Sequence, residues 1–437
     1  MIGGAVERFR EVERLKRYGR ANRVVGLIIE ASGLDVGMGE LCRIRGRDRH
    51  DGTLAEVVGF QGAGTLLMPL GDLDGVRPGS PVEALGRSFG VDVGPGLLGR
   101  ILDGLGHPMD GLGELGATVR RPLVADPPDP LDRPSIDTPI TTGVRAIDGL
   151  LTVGRGQRVG IFAGSGVGKS TLLGMMARHT SADVNVIALL GERGREVRDF
   201  IEESLGPEGL ARSVVVVATG DRPALIRARG ALVATSIAEY FRDQGLHVLL
   251  MVDSVTRVAT AWREIGLAVG EPPTTRGYPP SVFAHLPRLL ERAGAGLRGA
   301  ITGLYTVLVE ADDFNEPVTD HVRSVLDGHV VLSRRLAASG HFPAIDVLES
   351  ASRVRDRIVD REQLNAARTV QQEIALYREK EDLIAVGAYR EGGSPAVDRA
   401  IRMKEPIDRF LRQDPTEGGT VEEARNALLH LARERVG

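Results

Sequence analysis

The apolar run Arg158 to Phe162 passes directly through Ala163-Gly164-Ser165-Gly166-Val167-Gly168-Lys169-Ser170-Thr171 into the helix-forming stretch Leu172-Leu173-Gly174-Met175-Met176-Ala177. Strand, glycine-rich turn and helix in that order demand a sheet that hands its chain to a helix at the carboxyl end of a strand. The glycines let successive backbone N–H groups turn inward around phosphate oxygens, and the positive end of the following helix adds to the attraction. In the pattern G-x-x-x-x-G-K-[ST], Lys169 reaches the β and γ phosphates and the Ser170 hydroxyl ligates Mg²⁺. Gly164, Ser165, Gly166, Val167, Gly168, Lys169, Ser170 and Thr171 are therefore the candidate nucleotide-binding residues. One departure is visible, since the first glycine of the pattern is Ala163.

The rest of the chain fits around this unit. Apolar strand-like runs at Arg158 to Phe162, Val184 to Leu190, Val214 to Ala218, His247 to Val252 and Ile301 to Val309 alternate with helix-like segments such as Glu196 to Ser204 and Ala224 to Arg242. Alternation of this kind predicts a mainly parallel α/β sheet, a P-loop core covered on both faces. Upstream, short strand-like runs at Val24 to Ile29, Leu41 to Ile44, Leu54 to Phe60, Thr65 to Met68 and Pro81 to Ala84 predict a small β-barrel. From about Val354 the strands stop, and Gln363 to Lys380 and Thr420 to Arg435 predict a C-terminal helical domain. The stretch Ala125-Asp126-Pro127-Pro128-Asp129-Pro130 cannot hold a helix and is expected to run extended over the surface. Val6, Phe9, Val12 and Leu15 recur at helical spacing and predict an amphipathic helix, either packed on its own domain or presented to a partner. The expected domains are 1–19 for this helix, 20–88 for the barrel, 89–353 for the P-loop domain and 354–437 for the helical domain.

With 437 residues the chain is too long for one ordinary core, and its 42% apolar and 26% charged residues are the balance of a soluble globular protein. A formal charge of −4 and aromatics at only 4% argue against an RNA or DNA ligand held by charge and base stacking. The lone Cys42 rules out an internal disulfide framework and is expected to be a small buried residue. The N-terminus has no apolar signal region, and runs such as Val248 to Val252 are too short to span a bilayer, so a cytoplasmic protein is expected.

A phosphate loop alone specifies binding; hydrolysis also needs a metal, a positioned water and charge stabilisation. The apolar strand His247 to Val252 ends in Asp253, the expected carboxylate of an Mg²⁺ site, although an acid at a strand end is in isolation an ordinary feature. Val186 to Leu190 ends in Gly191-Glu192-Arg193-Gly194-Arg195-Glu196, which places Glu192 at a carboxyl edge, where ligands collect. Glu192 can accept a proton from, or orient, the attacking water. Arg193 beside it can pair with an acid or neutralise phosphate charge. The bland alternative for both is a solvated turn that opens a helix.

Taken together, Gly164 to Ser170, Gly191 to Glu196 and Asp253-Ser254-Val255-Thr256-Arg257 resemble the catalytic subunits of rotary-type ATPases. The run Arg263 to Phe283, with Glu271-Pro272-Pro273-Thr274-Thr275-Arg276-Gly277-Tyr278-Pro279-Pro280, resembles the type III protein export branch, and Val167 to Arg178 is most similar to its flagellar members. The resemblance extends from Tyr18-Gly19-Arg20 to Val386-Gly387-Ala388-Tyr389, and it implies that the P-loop core is of RecA-like type. It implies a catalytic role for Glu192, where noncatalytic rotary subunits usually carry glutamine. Phe342, in Phe342-Pro343-Ala344-Ile345-Asp346, falls where an aromatic ring packs on adenine, with ordinary core packing as the alternative. Arg353, in Ser350-Ala351-Ser352-Arg353, falls at the position of an arginine finger that enters a neighbouring subunit's site, and Arg257 falls near the γ phosphate.

The resemblance further implies an Mg²⁺-dependent ATPase that forms a homohexamer at the cytoplasmic face of the inner-membrane export apparatus. Implied partners are a peripheral regulator on the N-terminal helix, a coiled-coil stalk protein in the ring channel, the export gate, and substrate-bound chaperones on the C-terminal domain. The same motifs leave room for an injectisome ATPase. A Rho-type RNA translocase shares the hexameric core and barrel, but the acidic pI of about 6.2 speaks against it. A noncatalytic nucleotide-binding scaffold is disfavoured by Glu192.

Overall fold

The computed structural model describes residues 17–46, 52–309 and 313–434. Residues 1–16, which carry the expected amphipathic helix, lie outside the described residues. Arg17, Tyr18 and Gly19, the last residues of the expected domain 1–19, open a strand and pair with Ala84, Glu83 and Val82 of the barrel.

Six strands form the first unit: β1 Arg17–Val25, β2 Ile28–Ser32, β3 Glu40–Ile44, β4 Thr53–Gln61, β5 Gly64–Pro69 and β6 Pro81–Ser88. They close into a barrel in the order β1-β2-β5-β4-β3-β6. Its core is small and apolar, with Ile29, Ala31, Cys42, Ile44, Ala55, Val57, Leu67 and Val82 pointing inward at alternate positions. Cys42 is fully buried there, and burial, with Glu40 nearby, pushes its thiol up to about 11. Val24 to Ile29 is not one strand, as the apolar run predicts. Gly26, at φ +56°, turns the chain so that Val25 pairs with Ile28 across a hairpin.

The second unit holds β7 Gly90–Val93, β8 Ile101–Asp103, β9 Val119–Pro122, β10 Arg158–Ala163, β11 Val184–Leu190, β12 Ser213–Ala218, β13 His247–Asp253, β14 Gly294–Ala295, β15 Ala300–Leu308, β16 Gly328–Leu332 and β17 Ile345–Ser352. Its main sheet runs β17-β16-β10-β15-β13-β11-β12-β8, with β14 paired to β15 and a separate β7-β9 ribbon. The pairs from β16 to β8 are parallel, whereas β14 and β17 are antiparallel to their neighbours. Every residue of β11, β12 and β13 is buried, which is why these strands read as continuous apolar runs. The expected mainly parallel α/β core is therefore present, with β8, β16 and β17 added to the strands legible in the sequence.

The helices that matter below are α1 Lys169–His179, α2 Gly194–Asp199, α3 Ala224–Asp243, α4 Val255–Ala268, α5 Arg334–Ala338, α6 Arg361–Ala385, α7 Pro395–Leu411 and α8 Val421–Glu434. The helix expected from Glu196 to Ser204 starts earlier, at Gly194, and widens into a π-helical turn over Phe200–Leu205. Helix α7 escapes the apolar pattern because two prolines punctuate it, Pro395 at its start and Pro406 inside. The Pro-rich stretch forms no long element and leaves Val124 and Leu131 exposed, while Arg133 anchors it by donating to the carbonyls of Glu291 and Ala293.

Candidate functional site

Strand β10 lies between β16 and β15, so the turn that follows it emerges at the middle of the carboxyl edge. Gly166 and Gly168 adopt φ of +77° and +87°, and Gly168 caps α1. An L side chain at either position would be strained, so both glycines answer to the backbone. Ala163 is a regular strand residue paired with Leu308 and Leu332, which explains why an alanine is accepted at the pattern's first position. Ser165, Gly166, Ser170 and Thr171 are exposed, while Val167 anchors the turn in the core.

Lys169 Nζ lies 2.5 Å from Asp253 Oδ1 and 3.1 Å from Glu192 Oε1. The same Asp253 oxygen accepts from the Thr306 hydroxyl, which donates to Oδ1 at 2.6 Å. Burial works to lower the Lys169 pKa, but Asp253 and then Glu192 outweigh it and raise it above the ordinary lysine value, so the ammonium stays charged. Ser170, Leu189, Glu192, Glu196, Val197, Phe200 and Asp253 line one small cleft beside this cluster. Three chain segments, separated in sequence, thus converge because β10, β11 and β13 all end at the same sheet edge.

Phe342 is half-exposed, and its ring lies 3.5 Å from where a Cβ on Gly168 would stand. The ring therefore borders the phosphate loop rather than filling the core. Arg257, at the start of α4, packs its side-chain stem over Gly191, where a Cβ would come within 2.9 Å. This places Arg257 next to Glu192. Arg193 is different, since its side chain is 88% exposed and its ion pair is with Glu196 at 3.7 Å, outside the Lys169 cluster.

Arg353 does not join its own chain's cluster either. It follows the antiparallel β17, and its N–H donates to Asp327 O, whose own N–H donates to Arg158 O. Arg353 is thus level with the start of β10, about 20 Å from the phosphate loop at about 3.3 Å per strand residue. Two contributors to the site were not singled out from the sequence. Thr306 is signalled only by a hydroxyl residue inside an apolar strand, and Arg334, whose guanidinium lies against Gly164, carries no local signal at all.

The donor set suits a hard cation: the Ser170 hydroxyl and the Asp253 carboxylate offer oxygen donors beside the phosphate loop. Among the described residues no group of three or more His, Cys, Asp or Glu side chains could hold a metal unaided. Mg²⁺ fits such a site, because it keeps waters and takes further oxygens from a bound phosphate. Among the described residues no helix is long and apolar enough to cross a membrane.

Residues 143–352 match the nucleotide-binding domain of the ATP synthase alpha/beta family, and residues 22–86 match that family's beta-barrel domain. Residues 359–430 match the T3SS EscN ATPase C-terminal domain. The chain is 54% identical to the flagellum-specific ATP synthase of Bacillus subtilis (strain 168), over 95% of each chain. It is 55% identical to the type 3 secretion system ATPase of Xanthomonas euvesicatoria, over 92% of this chain and 91% of that one. Among solved structures it is similar to the assembled ATPase EscN of the enteropathogenic E. coli type III secretion system, with a TM-score of 0.90, 48% identity, and coverage of 95% of this chain and 100% of the other. EscN in complex with its central stalk EscO gives a TM-score of 0.88 at 47% identity, with the same coverage.

Proposed function

The chain belongs to the ATP synthase alpha/beta family, within its branch of flagellum-specific and type III secretion ATPases, and we propose that it hydrolyses Mg²⁺-bound ATP as a homohexameric ring that energises export of flagellar proteins. The observation that carries this reading is the convergence of Lys169, Glu192 and Asp253 beside the phosphate loop. Backbone N–H groups from Gly164 to Thr171 cradle the phosphates, and Lys169 exchanges a carboxylate partner for phosphate oxygens when ATP enters. The Ser170 hydroxyl and Asp253 would hold Mg²⁺, which would supply positive charge to offset that of the phosphates. Glu192, relieved of part of its ion pair, orients the attacking water and takes its proton. Phe342 packs on the adenine ring, and Arg257 and Arg353 stabilise charge near the γ phosphate, Arg353 from the neighbouring subunit. Arg193, exposed at the mouth of the site, contributes charge there.

The assembled EscN and its complex with a stalk protein support a ring with a central coiled-coil stalk for this chain as well. In that ring the N-terminal segment takes a peripheral regulator and the C-terminal helices take substrate-bound chaperones, at the cytoplasmic face of the export gate. A second reading has a specific observation behind it, since a type 3 secretion system ATPase is as similar as the flagellar relative, 55% against 54%. Two measurements test the proposal. Purified protein must hydrolyse Mg²⁺-ATP and lose the activity in Lys169→Ala. The gene must then restore swimming to a strain that lacks its flagellar export ATPase; hydrolysis without swimming, together with rescue of effector secretion in an injectisome mutant, would select the second reading.

A further inference from the structure

Gly164 has no conformational reason to be glycine: it is not among the residues with positive φ, unlike Gly166 and Gly168. Its neighbour supplies the reason. A Cβ at Gly164 would fall 2.6 Å from Arg334 Nε, 2.8 Å from Nη2 and 3.1 Å from Cζ. The guanidinium plane therefore occupies the space that any side chain at this position would need.

Arg334 is also fixed in place. Ser333 Oγ accepts from Leu336 N–H and caps α5, and the Ser333 N–H donates to Ala344 O at 2.8 Å, which closes residues 333–344 into a loop at its base. At one end of this loop Arg334 covers Gly164, and at the other Phe342 covers Gly168, so the loop grips the phosphate turn at both ends. From behind, Arg335 pairs with Glu381 of α6 at 2.8 Å, and the Gln413 N–H just after α7 donates to Phe342 O at 3.0 Å.

We infer that Arg334 is a positioning residue for the phosphate loop, and that loop 333–344 is the clasp through which the C-terminal helices hold the nucleotide's phosphate cradle in shape. The inference rests on the nucleotide-binding reading above. A flat, delocalised guanidinium can lie against a bare backbone in a way that a lysine ammonium cannot. Removing it frees the loop in both the ground state and the transition state, which weakens phosphate binding without altering the chemistry itself.

A double-mutant cycle on the full chain tests this, with equilibrium binding of a fluorescent ATP analogue in Mg²⁺, steady-state kinetics and thermal unfolding as readouts. Arg334→Ala and Gly164→Ala should each weaken binding about tenfold and raise KM in step, with kcat changed less than about threefold. In the Arg334→Ala background the added methyl meets no guanidinium, so the double variant should bind no worse than Arg334→Ala alone. Arg334→Lys should resemble Arg334→Ala, and it replaces Arg334→Ala in the cycle if the latter fails to fold. Additive losses overturn the inference, as does a fall in kcat at unchanged KM, or wild-type affinity in Arg334→Lys. Failure of the wild-type protein to bind the analogue refutes the proposed function and the inference with it, whereas additivity in a protein that binds refutes the inference alone.

Discussion

Lys169 Nζ bridges Asp253 and Glu192, at 2.5 Å and 3.1 Å, so a single cation is shared by two carboxylates that approach each other at the end of parallel strands. Asp253 is only 3% exposed, which makes it dependent on that cation. Lys169→Ala should therefore abolish ATP binding and also destabilise the fold, by about 3 kcal/mol for an uncompensated buried charge. Asp253→Asn in the same chain should recover most of the lost unfolding temperature and none of the binding. Thermal unfolding of the single and double variants checks this, and equal melting of Lys169→Ala and wild type would contradict it.

Glu192→Gln separates binding from turnover. The amide oxygen can still accept from Lys169, so affinity for ATP should stay within about threefold of wild type, while kcat falls by about 10² to 10⁴ with the loss of a general base. Steady-state hydrolysis and equilibrium binding on one preparation decide the matter. Full activity in Glu192→Gln would remove Glu192 from the mechanism.

His247 makes stability depend on acid. Its ring is buried and meets Thr302 Oγ1 at 2.9 Å. Burial, with Arg155 adding to it and Asp183 opposing, lowers its pKa from 6.5 to about 4. The unfolded chain thus binds a proton between pH 6.5 and pH 4 that the folded chain refuses. The contribution of neutral His247 is fully present above pH 6.5 and is lost as pH falls towards 4, with a ceiling on the order of 3 kcal/mol. Melting temperatures across this window should drop more steeply in wild type than in His247→Gln; parallel curves would show that other groups carry the acid sensitivity.

What the sequence makes legible here is what local chemistry enforces. Gly166 and Gly168 need positive φ, β11 and β13 must be apolar to be buried on both faces, and their carboxylates follow directly in the chain. For that reason the phosphate loop, Glu192 and Asp253 are legible at one sheet edge from the sequence itself. Contacts between distant segments left a weaker trace. The pairing of Thr306 with Asp253 spans 53 residues, and Arg334 reaches Gly164 only because β16 lies beside β10. The Val24 to Ile29 run misled in the opposite sense, since apolar residues on both sides of Gly26 hide a turn that only the positive φ reveals.

Arg353 is the residue for which the fold changes the question. Because β17 runs antiparallel to β16, with Ser352 opposite Gly328, it delivers Arg353 to the amino end of the parallel strands, away from its own Lys169. An arginine finger at this position must act on another subunit, as a head-to-tail ring permits. Arg353→Ala alone should lose about 10³-fold in rate. Mixed with Lys169→Ala, it should regain activity, because an interface that joins Lys169 of one variant to Arg353 of the other is intact. Random assembly of equal amounts makes such interfaces about a quarter of the total, which sets the expected recovery in a closed heterologous ring. No chain in that mixture carries both residues, so a site completed within one subunit would regain nothing. Full activity of Arg353→Ala by itself would show that the residue has no part in the reaction, and the mixing experiment separates these three cases in one titration.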